Sequence, residues 1–168
     1  MPSVVILMGS QSDLPFVQKI ADALDGLGIS YARRVASAHK SARYLLDLLA
    51  EYEASGEVGV YITVAGRSNA LSGMVDANVS APVIACPPYS EKFGGADLFS
   101  SLRMPSGVAP AVVIEPAGAA LLAAKILAAG DVGLRDRVRA AQRAQTDAIL
   151  SADEEMTGLM KAPGERTP

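Results

Sequence analysis

Short apolar runs alternate along the chain with longer stretches of helical spacing. Residues 4–7 are uninterruptedly apolar. Residues 16–27 then place Phe16, Val17, Ile20, Ala23, Leu24 and Leu27 on one helical stripe. Gly28 stands where a helix C-cap wants glycine. Residues 29–35 read as a second strand, and residues 42–54 as a helix with Leu45, Leu48 and Leu49 on one face. The alternation continues with a strand at 58–64, a helix at 69–79, a strand at 82–86 and a partly helical stretch at 92–102. A fifth strand at 111–114, an alanine-rich helix at 117–129 and a polar, charged helix over about 131–150 complete it; a loose tail begins at Met156.

Five strand–helix units in series predict an α/β fold: a doubly wound, parallel five-stranded sheet in a three-layer α/β/α sandwich, of flavodoxin-like type. With helices on both faces, every strand should be uniformly apolar. Residues 1–155 are expected to form a single α/β domain with a C-terminal helix, and residues 156–168 a flexible tail. Half of the residues are hydrophobic, yet there are three Phe, five Tyr and no Trp. The core is therefore aliphatic and rich in alanine, which suits close packing of helix on sheet.

The remaining composition narrows the function. A net charge of −3 argues against a nucleic-acid partner, which would need clustered Lys and Arg. Arg135, Arg137, Arg139 and Arg143 are interleaved with acids and read as a solvated helix face. A single cysteine rules out an intrachain disulfide, and Cys86 falls in an apolar run as a small buried hydrophobe. No spacing of His, Cys, Asp or Glu suggests a metal site. The opening residues lack a basic region and a cleavage site, and are expected to form the first strand. Residues 117–129 are broken by Lys125 and too short to span a bilayer, so the chain is expected to be cytoplasmic, without a membrane partner.

In parallel α/β sheets, ligands bind at the carboxyl ends of the strands, near the point where strand order reverses. Four polar junctions follow strands in this chain: Met8-Gly9-Ser10-Gln11-Ser12-Asp13, Ala36-Ser37-Ala38-His39-Lys40-Ser41, Ala65-Gly66-Arg67-Ser68-Asn69 and Pro87-Pro88-Tyr89-Ser90-Glu91-Lys92. The second holds the chain's one histidine. Imidazole is the side chain whose unperturbed pKa lies near neutrality, so His39 is the natural proton-transfer residue. Helix-start amides in the first loop and Lys40 in the second suit a phosphate, and Asp13 suits ribose hydroxyls. Arg67 fits either a substrate anchor or a surface ion pair.

At these loops the sequence resembles the purine-biosynthesis enzymes that handle carboxylated aminoimidazole ribonucleotide. Met8-Gly-Ser-Gln-Ser-Asp13, Ser37-Ala-His39 and Arg103-Met-Pro-Ser-Gly107 resemble that family's signature segments, within a likeness that covers residues 4–129. One branch of the family is a mutase that moves a carboxylate from nitrogen to C4 of the ring, and its third loop has a second histidine. The other is a carboxylase that adds carbon dioxide directly. Here Ala70 falls about where the second histidine would stand, and Ser-Ala-His-Lys replaces Ser-Ala-His-Arg, so the third loop resembles the carboxylase branch.

The resemblance implies roles residue by residue. Ser10 and Asp13 hold the ribose and phosphate end, and Ser37 and Lys40 the phosphate end. Gly66 and Ser68 line the base or carboxylate pocket. His39 is the acid–base residue, with Ser12 and Asn69 as helpers, while Ala70 and Leu71 could keep a carbon dioxide pocket dry. The expected partners are a small ribonucleotide and carbon dioxide, with no cofactor, in a homo-oligomer (octamer or tetramer). The rival readings are the mutase and a non-catalytic flavodoxin-like nucleotide module. A flavin version of the module would need Tyr89 or Phe93 to stack on its ligand.

Overall fold

The computed structural model describes residues 3–159. Five parallel strands, β1 (Val4–Met8), β2 (Tyr31–Val35), β3 (Val60–Val64), β4 (Val83–Ala85) and β5 (Ala111–Val112), form one sheet in the order β2-β1-β3-β4-β5. The helices are α1 (Leu14–Gly26), α2 (Ala42–Ser55), α3 (Ala70–Asp76), α4 (Phe99–Leu102), α5 (Pro116–Leu127) and α6 (Val132–Leu159). This is the flavodoxin-like α/β sandwich that the alternation predicts.

Side chains of a strand point to opposite faces in turn. Val4, Ile6 and Met8 of β1 pack with Val17, Ile20 and Leu24 of α1 and with Ala119, Ala120, Ala123 and Ala124 of α5. Val5 and Leu7 pack on the other face with Leu45, Leu48 and Leu49 of α2 and with Leu71 and Val75 of α3. Both faces of β1 are thus dry, and each buried Val, Leu or Ile contributes roughly 1.5–3 kcal/mol. The four alanines keep α5 close to the sheet, as the scarcity of aromatics requires. Gly28 adopts φ 66 just after α1, a conformation that glycine takes without strain.

β2 departs from the uniformly apolar expectation. It reads Tyr-Ala-Arg-Arg-Val and is only partly buried, because it is the edge strand beside β1. Arg33 and Arg34 turn their charges outward, to Gln18 and to the hydroxyls of Tyr44 and Tyr52. α6 also outruns its expected length. It continues through Met156 to Leu159, so the start of the expected tail is helical; residues 160–168 lie outside the described residues. Two of its arginines hold backbone: Arg135 donates to the carbonyls of Ala128 and Ala129, and Arg137 to that of Leu27. Among the described residues no helix is long and apolar enough to cross a membrane.

Cys86 lies fully buried after β4, its thiol 3.6 Å from the carbonyl of Ile114. Burial, helped by the charge of Glu115, pushes the thiol up to about 12 from an ordinary 9.0. A raised pKa favours folding below the unfolded value, and that contribution is lost as pH climbs between about 9 and 12. At pH 8 the native chain should react with a disulfide reagent at least about a hundredfold more slowly than the unfolded chain, because its thiolate is about a thousandfold scarcer. Fast native labelling, followed by thiolate absorbance, would contradict the buried placement.

The register sets up the site. Met8 lies level with Val35 of β2 and Val64 of β3, so three strands end together. β1 is the switch point: the chain moves to one side of it to make β2, then crosses to the other to make β3. The loops after β1 and β3 therefore diverge and leave a crevice.

Candidate active site

That crevice is a cavity of about 500 Å³ walled by the first three junctions. The loop after β1 supplies Gly9, Ser10, Ser12 and Asp13, and the loop after β2 supplies Ser37, Ala38, His39 and Lys40. The loop after β3 supplies Ala65, Gly66, Arg67 and Ser68, with Leu71 from the first turn of α3. The acid–base residue and the six substrate-binding residues expected from the resemblance, His39, Ser10, Asp13, Ser37, Lys40, Gly66 and Ser68, thus line one cavity.

Local bonding shapes each wall. Ser10 and Asp13 form a reciprocal cap: Ser10 Oγ accepts from the Ser12 amide, and Asp13 accepts from the Ser10 amide at 3.1 Å. Capping and cavity lining are therefore the same residues here. Pro15 follows in the first turn of α1, where a missing amide proton costs nothing. The second loop closes on itself. Ser37 Oγ accepts from the Lys40 amide, and the Ser37 amide donates to Ser41 Oγ at 2.9 Å. His39 sits in this fixed turn with its side chain exposed, and no hydrogen bond ties its ring to another described residue.

Lys40 and Arg67 bring two positive charges to the cavity, and Asp13 one negative charge. The excess is cationic, which suits a phosphorylated substrate. Burial raises the Asp13 carboxyl above its ordinary value, against the lowering effects of the Ser10 amide and the Arg67 charge.

Three expectations change. The fourth junction does not reach the cavity; Pro88 packs behind Gly66, its carbonyl oxygen 3.7 Å from where a Cβ would stand. Asn69 does not line the cavity: it is 3% exposed and caps α3, accepting from the amide and hydroxyl of Ser72 and donating to Ser101. Ala70 is exposed away from the cavity, and the apolar lining comes from Ala38, Ala65 and Leu71. Tyr89 and Phe93 lie outside the cavity too, so none of the described aromatic side chains is there to stack on a flavin. Among the described residues no group of three His, Cys, Asp or Glu could hold a metal ion.

Residues 3–148 match the family described as AIR carboxylase. The chain belongs to that family. It is 57% identical over 152 residues to a phosphoribosylaminoimidazole carboxylase of Archaeoglobus fulgidus, covering 90% of this chain and 83% of that one. It is 50% identical over 155 residues to the Treponema denticola protein of the same name, covering 92% and 98%. The crystal structure of Treponema denticola PurE superposes with a TM-score of 0.90, at 50% identity, over 92% of this chain and 98% of that one.

The AIR carboxylase likeness takes in all three cavity loops. It also includes the Arg103-Met-Pro-Ser-Gly107 segment, which lies apart from the cavity of the single chain. There Met104 packs on α3, its sulfur 3.0 Å from where a Cβ would stand on Gly73. What the sequence does not disclose is Asp97. Its carboxylate accepts from the Arg67 amide at 3.2 Å, across thirty residues of chain. No local pattern announces such a contact.

Proposed function

We propose that this chain is a phosphoribosylaminoimidazole carboxylase that adds carbon dioxide reversibly to C4 of 5-aminoimidazole ribonucleotide. The observation that carries the reading is the convergence of His39 with Ser10, Asp13, Ser37, Lys40, Gly66 and Ser68 on one cavity with a cationic excess. The names of its relatives support the same activity.

The ring is an enamine. The π pair of its C4–C5 bond attacks the carbon of carbon dioxide, and one C=O pair moves to oxygen as the carboxylate. C4 then carries both the new carboxylate and its original hydrogen, and the exocyclic nitrogen is an iminium. Neutral His39 takes the C4 proton, and the C–H pair restores the aromatic ring. In reverse, protonated His39 returns the proton and carbon dioxide leaves. A positioned base contributes roughly 10²–10⁴-fold. Holding carbon dioxide against C4, between Leu71 and the alanines, supplies proximity. The balance needs no ATP, biotin or metal.

Ser10 and Asp13 hold the ribose and phosphate end, Ser37 and Lys40 the phosphate, and Gly66 and Ser68 the base. In this reading the enzyme is cytoplasmic and works as a homo-oligomer. The exposed Phe93, Phe99, Leu102, Ile149 and Met156 favour such contacts.

The Asp13 role gives a sign as well as a size. A carboxyl whose pKa is raised on folding favours the fold below the unfolded value, 3.8, and that contribution disappears as pH rises through the folded value. At neutral pH the ionised Asp13 therefore weighs against folding. Asp13→Asn keeps an acceptor for the Ser10 amide, so its Tm should equal or exceed that of the parent, while KM for the ribonucleotide rises about tenfold. A lower Tm with unchanged KM would make Asp13 a cap only.

The activity is tested with aminoimidazole ribonucleotide and bicarbonate alone, followed by product absorbance. Product should form without ATP. Turnover confined to the N-carboxylated isomer would make the chain a mutase.

A further inference from the structure

Two local costs meet at the third loop. Arg67 has φ 60, the one positive φ outside glycine among the described residues. Left-handed backbone is strained for arginine, and glycine would occupy it freely. Asp97, which accepts from the Arg67 amide through Oδ2, keeps its other oxygen, Oδ1, buried with no hydrogen-bond partner among the described residues. A buried carboxylate oxygen left unpaired also weighs against stability.

The surroundings hold this arrangement in place. Ser100 Oγ accepts from the Asn69 amide, and its proton is shared between the carbonyls of Asp97, at 2.7 Å, and Arg67, at 3.1 Å. The turn that carries Asp97 starts at Gly95, with φ 78; a Cβ there would lie 2.8 Å from the Tyr89 ring. Both backbone groups of Arg67 are thereby pinned from outside the cavity, while its guanidinium lines the cavity. Stability would be better served by glycine at 67. What the strained turn retains is the guanidinium, held at one place on the wall.

Resting on the carboxylase reading, we propose that Arg67 recognises the carboxylate formed at C4, and that Asp97 is a positioning residue that acts only through Arg67. The planar guanidinium matches a carboxylate with two parallel hydrogen bonds, which the point charge of Lys40 does not. Arg67 stands between Gly66 and Ser68, on the wall given to the base, whereas Lys40 belongs to the loop given to the phosphate. Asp13 acts on Arg67 through its charge, but no hydrogen bond or ion pair among the described residues ties down the guanidinium, which leaves its donors to the substrate.

The test uses the full chain with the carboxylated and uncarboxylated ribonucleotides as separate probes. Arg67→Ala should raise KM for decarboxylation about 10- to 100-fold, while Kd for the uncarboxylated nucleotide moves less than about threefold. Asp97→Ala should reproduce about a third to a tenth of that rise, add nothing in the Arg67→Ala background, and be largely rescued by Asp97→Asn, whose amide oxygen still accepts. Equal losses for the two nucleotides would overturn the carboxylate assignment, and additive losses in the double variant would overturn the positioning role. The Arg67→Ala comparison decides even where Asp97→Ala folds poorly, because Arg67 is exposed. A parent chain that turns over neither nucleotide would sink the carboxylase reading instead.

Discussion

His39→Asn should bind the ribonucleotide with a Kd within about threefold of the parent and yet turn over roughly 10²–10⁴ times more slowly. The separation follows from where the side chain stands. His39 is exposed at the cavity wall, and no hydrogen bond ties its ring to the rest of the described chain. Its removal therefore leaves the fold and the binding loops intact: Ser37 and Ser41 still close the second loop through backbone amides, and Ser10 and Asp13 still cap the first. Asparagine is close in size but cannot take a proton near neutral pH. Calorimetric titration gives the affinity, and decarboxylation followed by absorbance gives the turnover. Near-normal turnover would remove imidazole from the chemistry, and lost affinity would make His39 a binding residue.

Asn69→Ala should lower Tm by about 5–15 °C, corresponding to about 2–4 kcal/mol for a chain of this size. Asn69 is the hub of a buried polar chain. Its Oδ1 accepts from the amide of Ser72 at 3.2 Å and from the hydroxyl of Ser72 at 2.9 Å; its Nδ2 donates to Ser101 Oγ at 2.9 Å. Because the Ser72 proton goes to Asn69, Thr63 Oγ1 donates to Ser72 Oγ, 2.8 Å away. Alanine would take the N-cap from α3, leave the Ser72 amide and hydroxyl proton without their acceptor, and leave the buried Ser101 hydroxyl without its donor. Thermal unfolding followed by circular dichroism measures it. A fall under about 2 °C would mean that the network contributes little beyond what water could replace.

These two residues mark how far the sequence could be read. β1, β3 and β4 are legible because both faces of each are dry, which leaves an unbroken apolar run. β2 is less so: as the edge strand it exposes Arg33 and Val35 and leaves Arg34 half-buried, and the rule for buried strands fails there. The second loop was legible because the rule for parallel sheets needs only strand ends, and a lone histidine on one of them stands out. Asn69 carried a usable signal, since an asparagine ahead of a helical run is a cap by default. The fourth junction lay on the right edge of the sheet but behind Gly66, a matter of packing that strand order does not encode. Arg67 and Asp97 were out of reach altogether. A left-handed arginine is atypical of its residue type, and its amide's partner lies thirty positions away.

The central claim is that His39 moves the proton at C4. The most direct measurement is a crystal structure of the chain with the 4-carboxylated ribonucleotide bound. The account predicts a His39 ring nitrogen about 3–3.5 Å from C4, with the phosphate on the Ser37 and Lys40 loop. A nucleotide bound in the cavity with C4 beyond the reach of His39, or turned toward Lys40, would contradict it.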